Sequence, residues 1–244
     1  MFFQSRLYPA RLIERIATVL ADVCFDNGEI ATAYCSNVSK MTGLTQSGAT
    51  VYVSQNHKAG RRIPFVWELS AANGSLVGVN MTHNFDLVLE GIRNGVVEEL
   101  GGYVKCERIL PSSDTSLLDM RLTPADRSRP MCKVAIDSVY CKKNVDLTYP
   151  DGIVVPHRHI AAQMRYALGK GERVVLLLLA QRIDAIGVRA DWLADPEYVG
   201  EIKNLCDIGL GIFWYGLWGS PEKNGISAKI SFLFFKSAEW ETSS

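Results

Sequence analysis

No apolar run in this chain exceeds seven residues, the stretch VVLLLLA at 174–180. A helix crossing a bilayer needs about 20 such residues, so no helical span and no membrane partner are expected. Seven suits a strand buried on both faces. The six cysteines, at 24, 35, 106, 132, 141 and 206, include no Cys-x-x-Cys pair. That spacing argues against structural zinc and against a disulfide framework. Neither sign of charge is in excess, with 26 basic and 26 acidic side chains, so bulk electrostatics announce no nucleic-acid partner. The opening MFFQSRLYPARLIERI carries Arg6, Arg11, Glu14 and Arg15 where a secretory signal holds its apolar core. A cytoplasmic location is expected.

What is present is ordinary globular material: 244 residues, 48% hydrophobic and 21% charged, enough for one large domain or two modest ones. The charges are unevenly spread. Residues 1–84 carry seven basic and five acidic side chains, residues 85–104 one and four, residues 105–173 twelve and eight, and residues 174–244 six and nine. The basic excess in the first and third segments suggests an anionic partner on one side.

The first eighty-odd residues break into short β-patterned runs, TVLADVCF, EIATAYC, ATVYVS, IPFVWEL and SLVGVN, separated by turn signals such as DNG and ANG. That pattern predicts a small barrel or sandwich. A two-residue Asn27–Gly28 turn would set Cys24 opposite Ala31, so the sulfurs of Cys24 and Cys35 should not meet. From Phe85 the pattern changes. NFDLVLEGIRNG reads as a helix capped by Asn84. The strand-like runs YVKCERIL, SLLDMRL and KVAIDSVY follow, then the helix HRHIAAQMRYALGKG, the strand ERVVLLLLAQ, and the helix DPEYVGEIKNLCDIG with Asp195 as N-cap and Pro196 behind it. LGIFWYGLW and AKISFLFF read as closing strands. Strand, helix, strand, helix, strand predicts an α/β unit with a mainly parallel sheet. The expected architecture is a β-rich module over residues 1–84 and an α/β module over 85–244.

Within KVAIDSVY, Val134 and Ile136 are expected to be buried, with Lys133, Ala135 and Asp137 on the other face. Asp119 falls in the middle of SLLDMRL. Carboxylates on neighbouring strands are a means of holding a catalytic metal. The competing reading makes Lys133 and Asp137 members of a solvated strand face. His157 and His159 stand about 200° apart on a helix, which suits surface residues better than a shared ion. His57 and His83 find no partner by spacing. Lys58, Arg61 and Arg62 form a basic loop cluster able to neutralise phosphates, and Trp67 or Phe65 on the next strand offers a stacking surface for a base. Arg11 and Arg15, four apart, should share a face and line the same groove, or lie on a solvated one.

The ordered series ARLIERIATVLADV, NGEIATAYCSNVSKMTGL, IPFVWEL, LVGVN, EELGGY, YPDG, HRHI, VVLLLLAQRIDA and DPEYV resembles the sugar fermentation stimulation protein A family over about four-fifths of the chain. The resemblance implies an OB-like barrel, then a domain like the PD-(D/E)xK restriction-endonuclease type, and DNA as partner. In such a domain an Asp on one strand and a Glu-x-Lys on the next hold Mg²⁺ and supply a cation to the phosphate. Asp119 stands at the Asp position. Ala135 and Asp137 stand where the Glu and Lys belong, and Leu117 replaces an upstream Arg. In the barrel, Asn37 and Lys40 lie in the loop where the family has a Pro-Asn-Thr-Gly character, here Ser36-Asn37-Val38-Ser39. Arg158 would supply the cation of a Lys-His-Leu-like helix start at His159. Asp151 is either part of the site or a turn residue before Gly152.

The expected function is a regulatory DNA-binding protein with a catalytically degenerate nuclease-like domain and no cofactor. The alternative is an Mg²⁺-dependent nuclease that uses Asp119, Asp137 and Lys133 in a rearranged site. Thiol titration of the chain unfolded without reductant, with a chelator present, should return six free thiols. A count of four would reveal a disulfide.

Overall fold

The computed structural model describes residues 5–56, 62–109, 118–182, 184, 186–216, 218–220 and 229–231. Six strands open the chain: β1 (Leu7–Ile16), β2 (Leu20–Cys24), β3 (Ile30–Tyr34), β4 (Thr50–Gln55), β5 (Phe65–Ala72) and β6 (Ser75–Gly78). They pair in the order β3-β2-β1-β4-β5-β6, and a parallel contact of Ala33 and Tyr34 with Phe65 and Val66 closes β3 onto β5. Closure joins β1 through β5 into a five-stranded OB-type barrel, with β6 added on the edge of β5. Its core holds Leu12, Val23, Ala33, Val51, Val53 and Trp67.

Two details of this barrel depart from expectation. The first hairpin turns through three residues, not two. Phe25 N–H bonds to Glu29 O, and Cys24 pairs with Ile30. Gly28 takes φ +83°, the left-handed position that such a turn gives to glycine. In β1 the register shifts between Leu12 and Glu14. Leu12 pairs with Val23 and Arg15 with Ala21, two residues apart on β2. Leu12 and Arg15 therefore share one face, and Arg11 points to the other.

A 3₁₀ turn (Met81–His83), capped by the Asn80 side chain, leads into α1 (Asn84–Arg93). Asn84 is thus the first helical residue and not the cap. Its amide serves elsewhere, donating to Ser138 Oγ at 2.9 Å and accepting from Gln181 at 2.8 Å. Then come β7 (Tyr103–Arg108), β8 (Met120–Pro124), β9 (Cys132–Ser138), β10 (Lys142–Lys143) and β11 (Asp146–Tyr149). α2 (Val155–Gly169), β12 (Arg173–Ala180), β13 (Gly187–Ala190), α3 (Pro196–Asp207) and β14 (Gly211–Gly216) follow, with a final pair β15 (Trp218–Ser220) and β16 (Lys229–Ser231).

The second sheet runs β14-β12-β9-β8-β7. β9, β12 and β14 are parallel, while β8 and β7 add on antiparallel. α2 and α3 cover one face over Ala135, Leu176 and Leu178. α1 covers the other over Val134, Ile136, Val175 and Leu177. β12 is buried on both sides, as VVLLLLA predicts. So is β9: the face carrying Ala135 lies beneath α2 and is not solvated. α3 starts as expected, with Asp195 accepting from Tyr198 N–H at 3.1 Å and Pro196 behind it. β10, β11 and β13 form a small separate sheet. All six cysteines are free.

Trp67 is fully buried in the barrel, and its indole N–H donates to Leu69 O at 3.1 Å. A base therefore cannot stack on it, which corrects the expectation. Replacing Trp67 with Ala should cost about 3–5 kcal/mol of unfolding free energy in urea melts. A cost under about 1 kcal/mol would contradict a core role.

Candidate functional site

A cleft of about 180 Å³ opens between the barrel and the second sheet. The loop around Asn37 and Ser39 forms one wall, with Met81 beside it; the ends of β8 and β9, the residues after β11 and the start of α2 form the other. Asp119 lies one residue before β8, not within a strand. Its Oδ2 accepts the Ile136 N–H at 2.7 Å. Burial, and then the nearby Asp137 charge, push its carboxyl up to about 6, against the pull of that hydrogen bond and of Arg108.

Asp137, at the position where the family resemblance puts a lysine, is the centre of a hydrogen-bond network. Its Oδ2 receives Tyr149 Oη and His157 Nε2, both at 2.8 Å, and its Oδ1 receives Ser138 N–H at 2.8 Å. An ionised carboxylate only accepts, so Tyr149 must donate to it. Tyr198, 3.0 Å from the Tyr149 oxygen, then donates in turn. Burial first, and the Asp137 charge second, hold the Tyr149 hydroxyl protonated far above the ordinary phenol range. The His157 ring stacks on Tyr198 with centroids 4.6 Å apart. His157 is only 6% exposed, which corrects its expected place on the helix surface. His83 is also partnered, with Nε2 at 2.9 Å from the buried Glu68.

The remaining expected residues scatter. Lys133 pairs with Glu172 at 2.8 Å, four residues down β9 from Asp137, and takes no part in the cleft. It does not replace the missing lysine. Arg15 ties the cleft wall together by donating to the carbonyls of Thr18, Asn37 and Ser39. Asn37 is fully buried, and its Oδ1 accepts Ser39 N–H at 2.9 Å. Lys40, next in sequence to the cleft-lining Ser39, is exposed, and its methylenes run close to Gly152. Asp151 joins the modules, accepting from Thr42 N–H at 3.0 Å and Thr42 Oγ1 at 2.6 Å. Arg11 is exposed and bonds Thr50 Oγ1 at 2.7 Å. Arg62, also exposed, adjoins the opposite end of β4, roughly 16 Å along the strand. Arg11, Arg15 and Arg62 thus do not line one groove. His57, Lys58, Arg61 and Leu117 lie outside the described residues.

The donor set does not fit Mg²⁺. Ala135 is 2% exposed in the core cluster shared with α2, so the carboxylate of a Glu-x-Lys is missing. Asp137 is already held by three donors. Among the described residues no group of three or more His, Cys, Asp or Glu side chains is arranged to hold a metal ion. Tyr149, His157 and Tyr198 were not singled out for the site from the sequence. All three sit in the quoted YPDG, HRHI and DPEYV segments, but no spacing rule links positions 137, 149, 157 and 198.

A closed OB-type barrel, joined through a polar cleft to a mixed sheet with helices on both faces, defines a two-module protein, an OB-type domain followed by an α/β domain. Residues 13–79 match the family model of the SfsA N-terminal OB domain, and residues 82–223 match that of the sugar fermentation stimulation protein RE domain. The chain belongs to the sugar fermentation stimulation protein family. The homolog from Geotalea uraniireducens is 31% identical over 92% of this chain and 96% of its own length. That from Paramagnetospirillum magneticum is 31% identical over 95% and 97%. The solved structure of Pyrococcus furiosus SfsA in complex with Ca²⁺ shares the fold, with a TM-score of 0.81 at 17% identity over 95% of this chain and 96% of that one.

Asp119 generates a pH prediction. Its folded-state pKa is raised from 3.8 to about 6, so the native state binds the extra proton between those values. Stability from this group falls as pH rises through that window, and the loss is complete above it. At 1.36 kcal/mol per pKa unit the penalty is about 3 kcal/mol. Asp119→Asn keeps an acceptor for Ile136 N–H and removes the charge. The variant should be more stable than the parent by up to about 3 kcal/mol near pH 8 and equal to it near pH 4. A difference independent of pH would refute the assignment.

Proposed function

We propose that this chain is a cytoplasmic DNA-binding protein with a regulatory role, whose nuclease-like module no longer carries out metal-dependent cleavage. The observation that carries the second half is the Asp137 network. At the position where phosphate chemistry calls for a lysine stands a carboxylate held by His157 and Tyr149. The glutamate position is occupied by a core alanine. Both changes remove a metal ligand or a cation from the reacting phosphate.

Support for DNA as the partner comes from family membership, from the OB-type barrel, a fold that binds oligonucleotides among other ligands, and from the exposed Lys40 beside the cleft-lining Ser39. Among the described residues no helix is long and apolar enough to cross a membrane. The Ca²⁺ in the Pyrococcus furiosus structure keeps an Mg²⁺-dependent nuclease as the second reading. It would need Asp119, Asp137 and Lys133 together, and Lys133 is engaged with Glu172.

Binding of a DNA duplex and of a single strand, measured across salt with EDTA and then with Mn²⁺, tests both readings. Binding should persist in EDTA, with no cleavage in either metal condition. Lys40→Ala should lower the slope of log K against log salt by about 0.9 if that residue contacts a phosphate. Arg62→Ala should leave the slope unchanged. Mn²⁺-dependent cleavage abolished by Asp119→Asn would overturn the proposal in favour of the nuclease.

A further inference from the structure

Around the second sheet, cations are commonly met by carboxylates: Lys133 by Glu172, Arg158 by Glu197 and Arg165 by Glu201. Arg129 and Arg173 are treated differently. Arg129 donates to the Gly101 carbonyl at 3.0 Å and lies 5.3 Å from the centre of the Tyr103 ring. Arg173, at the start of β12, donates to the Tyr103 hydroxyl at 3.4 Å. Two guanidiniums thus converge on one aromatic side chain, and every contact is with a neutral group. Among the described residues neither is paired with a carboxylate. Glu172 is taken by Lys133. Asp126 accepts Ser128 N–H at 2.8 Å, and that bond, ahead of the more distant Arg129 charge, holds its carboxyl below the usual range.

The backbone is shaped to this arrangement. Gly102 takes φ +77°, and an added Cβ there would come within 2.7 Å of Arg129 Nη1. Only glycine gives both the conformation and the close approach. The Tyr103 hydroxyl is held in turn by donating to Pro130 O at 3.4 Å. Like charges gathered in this way repel. The remaining N–H groups of the two arginines stay open to solvent, since none is among the buried unpaired polar atoms.

We propose that Arg129 and Arg173 form a phosphate-binding site, and that the phosphate belongs to the backbone of a nucleic acid. The N–H groups of a guanidinium lie in a planar fork that matches two phosphate oxygens. An anion between the two forks offsets their repulsion and takes the donors that Gly101 and Tyr103 leave free. Arg127, exposed two residues before Arg129, extends the positive surface for the next phosphate of a strand. The place is distinct from the cleft. β9 runs from Cys132, the register partner of Arg173, to Asp137 and Ser138 at the cleft, roughly 16 Å. A backbone held here lies at the end of the sheet away from Asp119 and Asp137. The inference rests on the DNA-binding reading for the source of the phosphate, and on the two arginines for where it binds.

Binding of a fluorescein-labelled duplex, measured across salt, tests the assignment. The double variant Arg129→Gln/Arg173→Gln, checked for folding by urea melts, should lower the slope of log K against log salt by about 1.8, or about 0.9 per phosphate contact. Arg158→Gln/Arg165→Gln removes the same charge from the pairs with Glu197 and Glu201 and should leave the slope unchanged. A parental slope in the folded Arg129/Arg173 variant would overturn the proposal and leave DNA binding intact. An equal drop in both doubles would reduce the effect to net charge and overturn it too. If the first double does not fold, NMR of the parent chain decides. The Gly101, Gly102 and Arg173 amides should shift with duplex, and shifts confined to other residues would place the DNA elsewhere. If the parent binds no duplex, the DNA-binding reading falls, and inorganic phosphate is titrated instead. The same amide shifts below about 10 mM would support the site with a small phosphorylated compound as ligand, and their absence would end it.

Discussion

The last residues of β9 and the two that follow make the contacts on which the rest of the molecule depends. Asp137 gathers Tyr149 and His157, which fixes the residues after β11 and the first turn of α2 against the sheet. One residue on, Ser138 receives Asn84 from the start of α1. Gln181 spans the same junction, with its amide bonded to Asn84 and its carbonyl accepting Gly78 N–H at the end of the barrel. Tyr140 then enters the barrel core itself. A four-residue segment thus sets the position of α1, α2 and the barrel relative to one sheet. Asp151, bonded to Thr42, closes the far side.

The chemistry of the site follows from that segment. A lysine at 137 would bring a cation beside Asp119, which satisfies both groups and leaves charge for a phosphate. An aspartate there brings a second negative charge, tolerable in a half-buried place only with donors around it. Tyr149, His157 and the Ser138 amide are those donors. The carboxyl of Asp119 is raised first by its own burial and then by the Asp137 charge. Perturbed groups of this kind in a cleft accompany functional sites.

The scaffold was legible in the sequence because its signals are local. VVLLLLA reads as a doubly buried strand, and Asp195-Pro196 as a helix start, from adjacent residues alone. The resemblance puts a lysine at position 137, where the sequence has an aspartate; the groups that surround that aspartate were not legible. Tyr149, His157 and Tyr198 are 12 to 61 positions away from Asp137 and meet it only because the chain after β11, α2 and α3 all pack on the same face of the sheet. Period-two reasoning failed at Arg11 and Arg15 because one extra residue in β1 reverses the alternation. It held at Lys133, Ala135 and Asp137, which share the face opposite Val134 and Ile136, but that face lies beneath α2 and is not solvated. Trp67 was misplaced for another reason: an amphipathic ring suits a core and a binding surface equally, and only the Leu69 carbonyl decides for the core.

The same arrangement separates two tasks that a metal-dependent nuclease performs in one place. Such a site must attract a phosphate and act on it, so the cations and carboxylates converge through the ion they share. Here the position of the second carboxylate holds Ala135, Asp137 is tied to Tyr149, His157 and the Ser138 amide, and Lys40 is exposed to solvent. Burial and the Asp137 charge both act against the charge of Asp119, so the negative charge gathered in the cleft falls as pH drops through about 6.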